Sequence, residues 1–200
     1  MPGEFRLYYI GLMKLILASQ SPRRSDLLRA AGFSFTLRAR PVAEVLREGE
    51  APADYVRRLA REKADAAWER DDEIVLGADT IVVLGGRVLE KPRDRADAAE
   101  MLAALSGRTH TVITGVCLRH AHGAIVDAES TRVRFVPLSE NEIREYVASG
   151  EPMDKAGAYA IQGLASKFVD YIEGCYFNVM GLPLAMVYRH WKSLVTPAPS

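Results

Sequence analysis

The chain has 200 residues, with 26 basic side chains balanced by 26 acidic ones, and 48% of its residues are hydrophobic. Zero net charge excludes the basic face of a nucleic-acid binder, and no apolar run is long enough to span a bilayer. Only Cys117 and Cys175 are present, which excludes a disulfide framework and fits a reducing cytoplasm.

Residues 1–13 mix apolar and polar side chains without a charged n-region and apolar core. They read as a short extension ahead of an alternative start at Met13, not as a signal peptide. Residues 14–195 form one domain-sized unit, and Thr196 to Ser200 should fray. Leu15 to Ala18 has strand character and runs through Ser19 and Gln20 into a helix start. Ser21 is placed as N-cap and Pro22 as N1. Arg23 and Arg24 then fall in the first turn, the end where the helix dipole disfavours cations. They are either a solvated helix start or two guanidinium forks around an anion such as a phosphate chain. The helix turns Leu27, Leu28 and Ala31 inward and stops at Gly32, and Phe33 to Leu37 reads as a strand. Pro and Gly keep Arg38 to Pro52 irregular; Glu44, Glu48 and Glu50 lie there, and nothing in the residues alone separates one from another.

Asp54 to Arg70 is helical by periodicity, with Val56, Leu59, Ala60 and Ala67 on one stripe. Lys63 shares that stripe, so its ammonium either snorkels to water or points into a cleft at an anionic ligand. Ile74 to Leu84 is a β-branched run typical of a strand covered on both faces, interrupted at its middle by Asp79. A buried carboxylate needs a partner or a metal, and an acid in the floor of a cleft is a better reading than a structural salt bridge. Gly77 and Ala78 before it leave room for a ligand or another backbone. Gly85-Gly86 makes a hairpin turn, and the return ends at Glu90-Lys91-Pro92.

Asp94 caps a helix whose Ala98, Met101, Leu102 and Leu105 form a stripe ended by Gly107. Two long strands follow, over Thr109 to Leu118 and Ala124 to Val136. In the second, Thr131, Val133 and Phe135 alternate with Arg132 and Arg134. His120 and His122 read as loop histidines between them. Ser139 and Glu142 form a capping box for a helix that stops at Gly150. The glycine-rich stretch from Glu151 to Gly181 suits close backbone approach to a ligand, and Gly181-Leu182-Pro183 opens a last apolar helix through Trp191. There is no P-loop, dinucleotide fingerprint, zinc helix or acyl-transfer constellation. Cations with scattered carboxylates remain, a set suited to phosphate chemistry with Mg²⁺ or Mn²⁺.

From Lys14 to about Leu194 the chain resembles the Maf-like (septum-formation inhibitor) nucleoside triphosphate pyrophosphatases. The resemblance rests on Leu17-Ala18-Ser19 with Ser21-Pro22-Arg23-Arg24, on Glu62-Lys63-Ala64, and on Gly77-Ala78-Asp79-Thr80. Glu90-Lys91-Pro92, Asp154-Lys155-Ala156-Gly157, Tyr159 to Gly163, and Asn178 to Pro183 complete it. It implies an elongated two-lobed α/β fold of the Maf/ITPase type, with a long mixed sheet, flanking helices and a central cleft. It also implies hydrolysis of a nucleoside triphosphate to the monophosphate and pyrophosphate, a divalent metal cation (Mg or Mn), and a homodimer, since family members are often dimers. By the resemblance, Asp79 is the proton acceptor and Lys63 and Lys91 line the cleft. Glu44 serves metal or water, so that Asp79 and Glu44 are the metal candidates. Ser19 lies under the phosphates, and Arg23 and Arg24 face them. Arg23, Thr80 and Gln162 fall where base choice is made. Gly-Ala-Asp-Thr with Ala-Tyr-Ala-Ile-Gln-Gly resembles the branch acting on dTTP and UTP. The alternatives are the same chemistry on 7-methyl-GTP and a nucleotide-sensing regulator of septation without turnover. Cys175 stands where serine is usual after Gly174, a small change.

Overall fold

The computed structural model describes residues 13–195; the extension through Leu12 and the tail from Thr196 lie outside the described residues. In chain order the elements are β1 (Lys14–Ala18), α1 (Pro22–Ala30), β2 (Phe35–Leu37), α2 (Pro52–Ala67), β3 (Glu73–Leu84), β4 (Arg87–Leu89) and α3 (Arg95–Leu105). Then come β5 (Thr109–His120), β6 (Gly123–Phe135), α4 (Glu140–Ala148), three short 3₁₀ turns between Glu151 and Phe168, β7 (Val169–Glu173), α5 (Tyr176–Val179) and α6 (Leu184–Val195). The strands form one seven-stranded mixed sheet in the order β2-β1-β3-β5-β6-β7, with β4 pairing β3 off that path. β1 runs parallel to β2 and β3; every other pair is antiparallel.

What positions the site is a gap in one edge of β3. β1 pairs with β3 only as far as Ala18 opposite Gly77, and β4 takes up the same edge at Val82. The opposite edge is paired with β5 throughout, Asp79 opposite Gly115 and Thr80 opposite Thr114. Ala78 to Ile81 therefore carry an unpaired edge in the middle of an otherwise buried strand, and backbone groups there must find other partners.

α2 covers one face of β3 and β5 at unusually short range. A Cβ at Gly77 would lie 2.1 Å from the Ala60 carbonyl oxygen, and one at Gly115 would lie 2.2 Å from that of Val56. The space left by Gly77 is thus taken by a helix backbone, not by a ligand. With Ala60, Ala64 and Ala67 buried against the sheet, Lys63 on the adjoining face is lowered toward Asp79, two residues along the same face as Gly77. On the other face, Leu17, Leu28, Leu76 and Leu118 pack with Leu182, Met186 and Trp191 of the α6 region. A separate cluster of Val82, Leu102, Phe135, Tyr146 and Phe168 fills the space among β3, β6, α3 and α4.

Several local expectations differ from the structure at element ends. α2 starts at Pro52 and ends at Ala67, short of Arg70. β2 begins at Phe35, and Ala31 is exposed as the α1 C-cap, not turned inward. β5 and β6 reach almost to each other, leaving His120 in the strand. The pattern offers no sign of β7 or α5: the exposed Asp170-Tyr171 and the four residues of α5 are too short to show a period. The Ser139–Glu142 capping box and the Asp94 cap form as the sequence reads.

Candidate active site

A cavity of about 630 Å³ opens at the gap in β3. All nine residues singled out from the sequence line it: Ser19, Arg23, Arg24, Glu44, Lys63, Asp79, Thr80, Lys91 and Gln162. Six cations, including Arg40 and Lys155, face four carboxylates across it, with Glu90 and Asp154 joining Glu44 and Asp79. That volume and that polarity suit a small, highly charged ligand.

The floor is built from β3. Asp79 is buried, and its Oδ1 accepts a hydrogen bond from Lys63 Nζ at 2.6 Å. The same ammonium lies 2.6 Å from Glu44 Oε1, so one lysine joins the strand carboxylate to the loop carboxylate. Snorkelling is thereby ruled out for Lys63, whose side chain is only 14% exposed. Partial burial pushes the Glu44 carboxyl upward, but the hydrogen bond and charge of Lys63, helped by Lys91 and Arg24, hold it below the usual carboxylate range. Lys91 itself is exposed at the mouth, beside the turn fixed by Pro92.

Arg24 sits beneath this floor, and four of its five N–H donors are spent inside the protein. Nε donates to the Gly181 carbonyl at 2.8 Å, and Nη1 donates to Ser19 Oγ at 3.1 Å and to the Ala78 carbonyl at 2.9 Å. Nη2 donates to Thr80 Oγ1 at 3.0 Å. The Ala78 carbonyl belongs to the gap, so Arg24 supplies a partner that a neighbouring strand would otherwise provide. Burial lowers the guanidinium pKa, and the nearby Asp79 charge works against that. Ser19 Oγ also accepts from the Ser21 N–H at 3.2 Å; the Ser21 side chain makes no cap bond of its own. The hydroxyl of Thr114 donates to the Asn178 carbonyl at 3.1 Å and has no second proton, so Thr80 donates to Thr114 at 2.9 Å. The Thr80 proton is thus committed away from the cavity.

Arg23 differs from its neighbour. Its side chain is 23% exposed and among the described residues pairs only with the exposed carboxylate of Asp154, at 3.2 Å. Its guanidinium is free to take a ligand anion at the cost of one surface ion pair. Gln162 is exposed and lines the same cavity, and its amide makes no hydrogen bond among the described residues.

Residues not singled out from the sequence complete the wall. The Tyr55 hydroxyl donates to Glu90 Oε1 at 2.6 Å, and burial, with the Glu90 hydrogen bond, raises its pKa. The helical spacing of Tyr55, Leu59 and Lys63 was the available signal. Lys155 donates to the Glu151 carbonyl at 3.2 Å and to the Asp154 carboxylate. Tyr159, also on the wall, has its hydroxyl 2.8 Å from His110 Nε2 in the core. His120 and His122 stay at the β5–β6 tip, and no group of three or more His, Cys, Asp or Glu arranged for a metal occurs among the described residues. Among these residues, too, no helix is long and apolar enough to cross a membrane.

A family model described as "Maf-like protein" matches residues 14–194. The chain is 56% identical over 183 residues to the dTTP/UTP pyrophosphatase of Koribacter versatilis, covering 91% of this chain and 94% of that one. It is 54% identical to the dTTP/UTP pyrophosphatase of an Anaeromyxobacter species, over 93% and 92% of the two chains. With that of Hahella chejuensis it shares 51% identity over 87% and 89%. Among solved structures, a nucleoside-triphosphatase / dITP/XTP pyrophosphatase from Mycobacterium abscessus is similar at TM-score 0.44 and 16% identity, covering 91% of this chain and 97% of that one.

Proposed function

The chain belongs to the Maf-like protein family, and from that premise we propose that it is a nucleoside triphosphate pyrophosphatase acting on dTTP and UTP. Its products are the monophosphate and pyrophosphate, and the reaction keeps such nucleotides, modified pyrimidine forms included, out of nucleic acids. The observation that carries this reading is the Glu44–Lys63–Asp79 bridge at the floor of a cation-lined cavity. A carboxylate paired with an ammonium beside the place where a triphosphate's charge must be neutralised is what in-line attack of water on the α-phosphorus requires.

In this mechanism Arg23 and Lys91 bind the phosphate chain, the first by exchanging Asp154 for phosphate oxygens, the second from the mouth of the cavity. Arg24 holds Ser19, Ala78 and Thr80 in place below. Asp79 accepts the proton of the attacking water as the new oxygen–phosphorus bond forms. The bond from the α-phosphorus to the bridging oxygen breaks, and pyrophosphate leaves with that oxygen. Lys63, held at 2.6 Å from Asp79, neutralises charge on the phosphate oxygens beside that carboxylate. The two carboxylates already converge on one cationic centre, the Lys63 ammonium at 2.6 Å from each, and their hard oxygen donors fit Mg²⁺ or Mn²⁺. Asp79 and Glu44 would hold such an ion, with phosphate and water as its other ligands, and when bound it supplies charge neutralisation of the triphosphate. Gln162 reads the base, since an amide pairs with both the N3–H and a carbonyl of a pyrimidine. We place the enzyme in the cytoplasm as a homodimer, with residues 14–195 acting as one domain of two lobes.

The test is pyrophosphate release from a panel of nucleoside triphosphates, with Mg²⁺ or Mn²⁺ and with chelator. Metal-dependent release led by UTP and dTTP is expected. A lead for 7-methyl-GTP would overturn the substrate, and tight binding without turnover would overturn the enzyme and favour a sensor.

A further inference from the structure

Gln162 has no hydrogen bond among the described residues to hold it, so something else must aim it at the cavity. The turn that bears it is gripped from both sides. Ahead of it, the Ala160 N–H donates to the Tyr146 hydroxyl at 3.2 Å. Behind it, the Leu164 N–H donates to both Glu151 oxygens, at 3.0 and 3.2 Å. The two grips are one device, because the Tyr146 hydroxyl donates its proton to Glu151 Oε1 at 2.8 Å. Burial, and then this hydrogen bond, raise the Tyr146 pKa, so the phenol remains a donor. The fit is tight: a Cβ on Gly163 would lie 2.4 Å from each Glu151 oxygen. The anchor is itself braced, with the Ser149 hydroxyl donating to the Tyr146 carbonyl at 2.6 Å and accepting the Glu151 N–H at 3.2 Å.

The same short segment reaches the phosphate side. Glu151 opens the 3₁₀ turn that ends at Asp154, the partner of Arg23, and Lys155 bonds both the Glu151 carbonyl and the Asp154 carboxylate. A side cavity lined by Arg23, Glu151, Lys155, Gln162 and Gly163 runs along this segment.

We propose that Glu151 is a specificity-positioning residue: through Tyr146 and the Leu164 N–H, its carboxylate presents Gln162 to the nucleotide base. This rests on the reading that Gln162 meets the base. Neither Glu151 nor Tyr146 lines the main cavity, so their loss acts on discrimination and not on the chemical step.

The experiment measures kcat and KM for UTP and for GTP in the full chain and in Glu151→Ala, Glu151→Gln, Tyr146→Phe, Gln162→Ala and the Glu151→Ala/Gln162→Ala double variant. Glu151→Ala is expected to raise KM for UTP about tenfold, with kcat within about twofold, and to lower the UTP-over-GTP ratio of kcat/KM about tenfold. The double variant should lose no more discrimination than Gln162→Ala alone, because one residue acts through the other. Glu151→Gln should recover most of the ratio, since its amide oxygen still accepts from Leu164. An unchanged ratio in Glu151→Ala, or losses that multiply in the double variant, would overturn the proposal. Tyr146→Phe leaves the Leu164 bonds intact and keeps the comparison alive if Glu151→Ala fails to fold; it should lower the ratio in the same direction, and an unchanged ratio there counts against the proposal equally. A wild-type chain without turnover on any nucleotide would sink both this and the proposed function, whereas a discriminating wild type with an unaltered variant ratio sinks this alone.

Discussion

At the scale of single residues, the site depends on where each donor and acceptor is spent. Arg23 and Arg24 are neighbours of the same type, yet one meets a single exposed carboxylate and the other makes four hydrogen bonds inside the protein. Both stood out in the sequence as cations at the wrong end of a helix, and a linear pattern has no means of telling a ligand-facing guanidinium from one that plugs a gap in a strand ladder. Asp79 was legible for a better reason: a carboxylate inside a β-branched run is costly wherever the strand is buried, and here it is 7% exposed with Lys63 as partner. Glu44 was not separable from Glu48 and Glu50 by its residues alone, because an irregular loop carries no period to say which side chain returns to the sheet. Replacing Asp79 by Asn keeps shape and removes the proton acceptor. Turnover of UTP should fall by roughly 10²- to 10⁴-fold, with nucleotide affinity in the presence of metal held within about tenfold. Pyrophosphate release and a binding titration on the same sample check this. Retained turnover would transfer the proton-accepting role to Glu90 or Glu44.

At the scale of elements, α2 and β3 make the site by their closeness. The periodicity of α2 and the apolar run of β3 were both readable, and with them the core face of each. What could not be read was their separation, which two glycines set from the far side of the contact. Gly77 has no positive φ to demand it; its requirement is purely one of space. Gly77→Ala would drive a methyl into the Ala60 carbonyl and the Ala64 N–H, backbone groups that yield only if the helix moves. A cost of about 3 kcal/mol or more is expected in urea unfolding, at or above the upper end of ordinary overpacking. The same shift lifts Lys63 from Asp79, so kcat should drop more than tenfold even in the fraction that stays folded. β7 and α5 stayed hidden because each is stabilised by its neighbours. β7 holds to β6 over Arg132 to Phe135, and Thr131 Oγ1 accepts the Cys175 N–H that opens α5.

For the molecule as a whole, stability carries its own pH signature. His110 is buried against Phe135 and Tyr159, and desolvation pushes its imidazole down to about 4 from an ordinary 6.5. Below pH 6.5 the unfolded chain gains a proton that the folded one refuses, so stability is lost as pH falls from about 6.5 toward 4 and the loss then levels off. His110→Gln keeps a donor for Tyr159 without the titration. Its stability between pH 6.5 and 4.5 should therefore decline less steeply than wild type, by up to one proton, or about 1.4 kcal/mol per pH unit. Parallel urea midpoints for both proteins across that range would refute this. The bridge of Lys63 between two acids has a consequence at this scale too. A cleft that holds its own counterions binds substrate as an ion exchanger does, by trading internal partners for external ones. A single orthophosphate offers too little charge to make that trade against both carboxylates and Arg23's partner at once, whereas a triphosphate spans all the exchange points together. A resting site already full of charge in this way favours the long polyanion over the small anions of its surroundings.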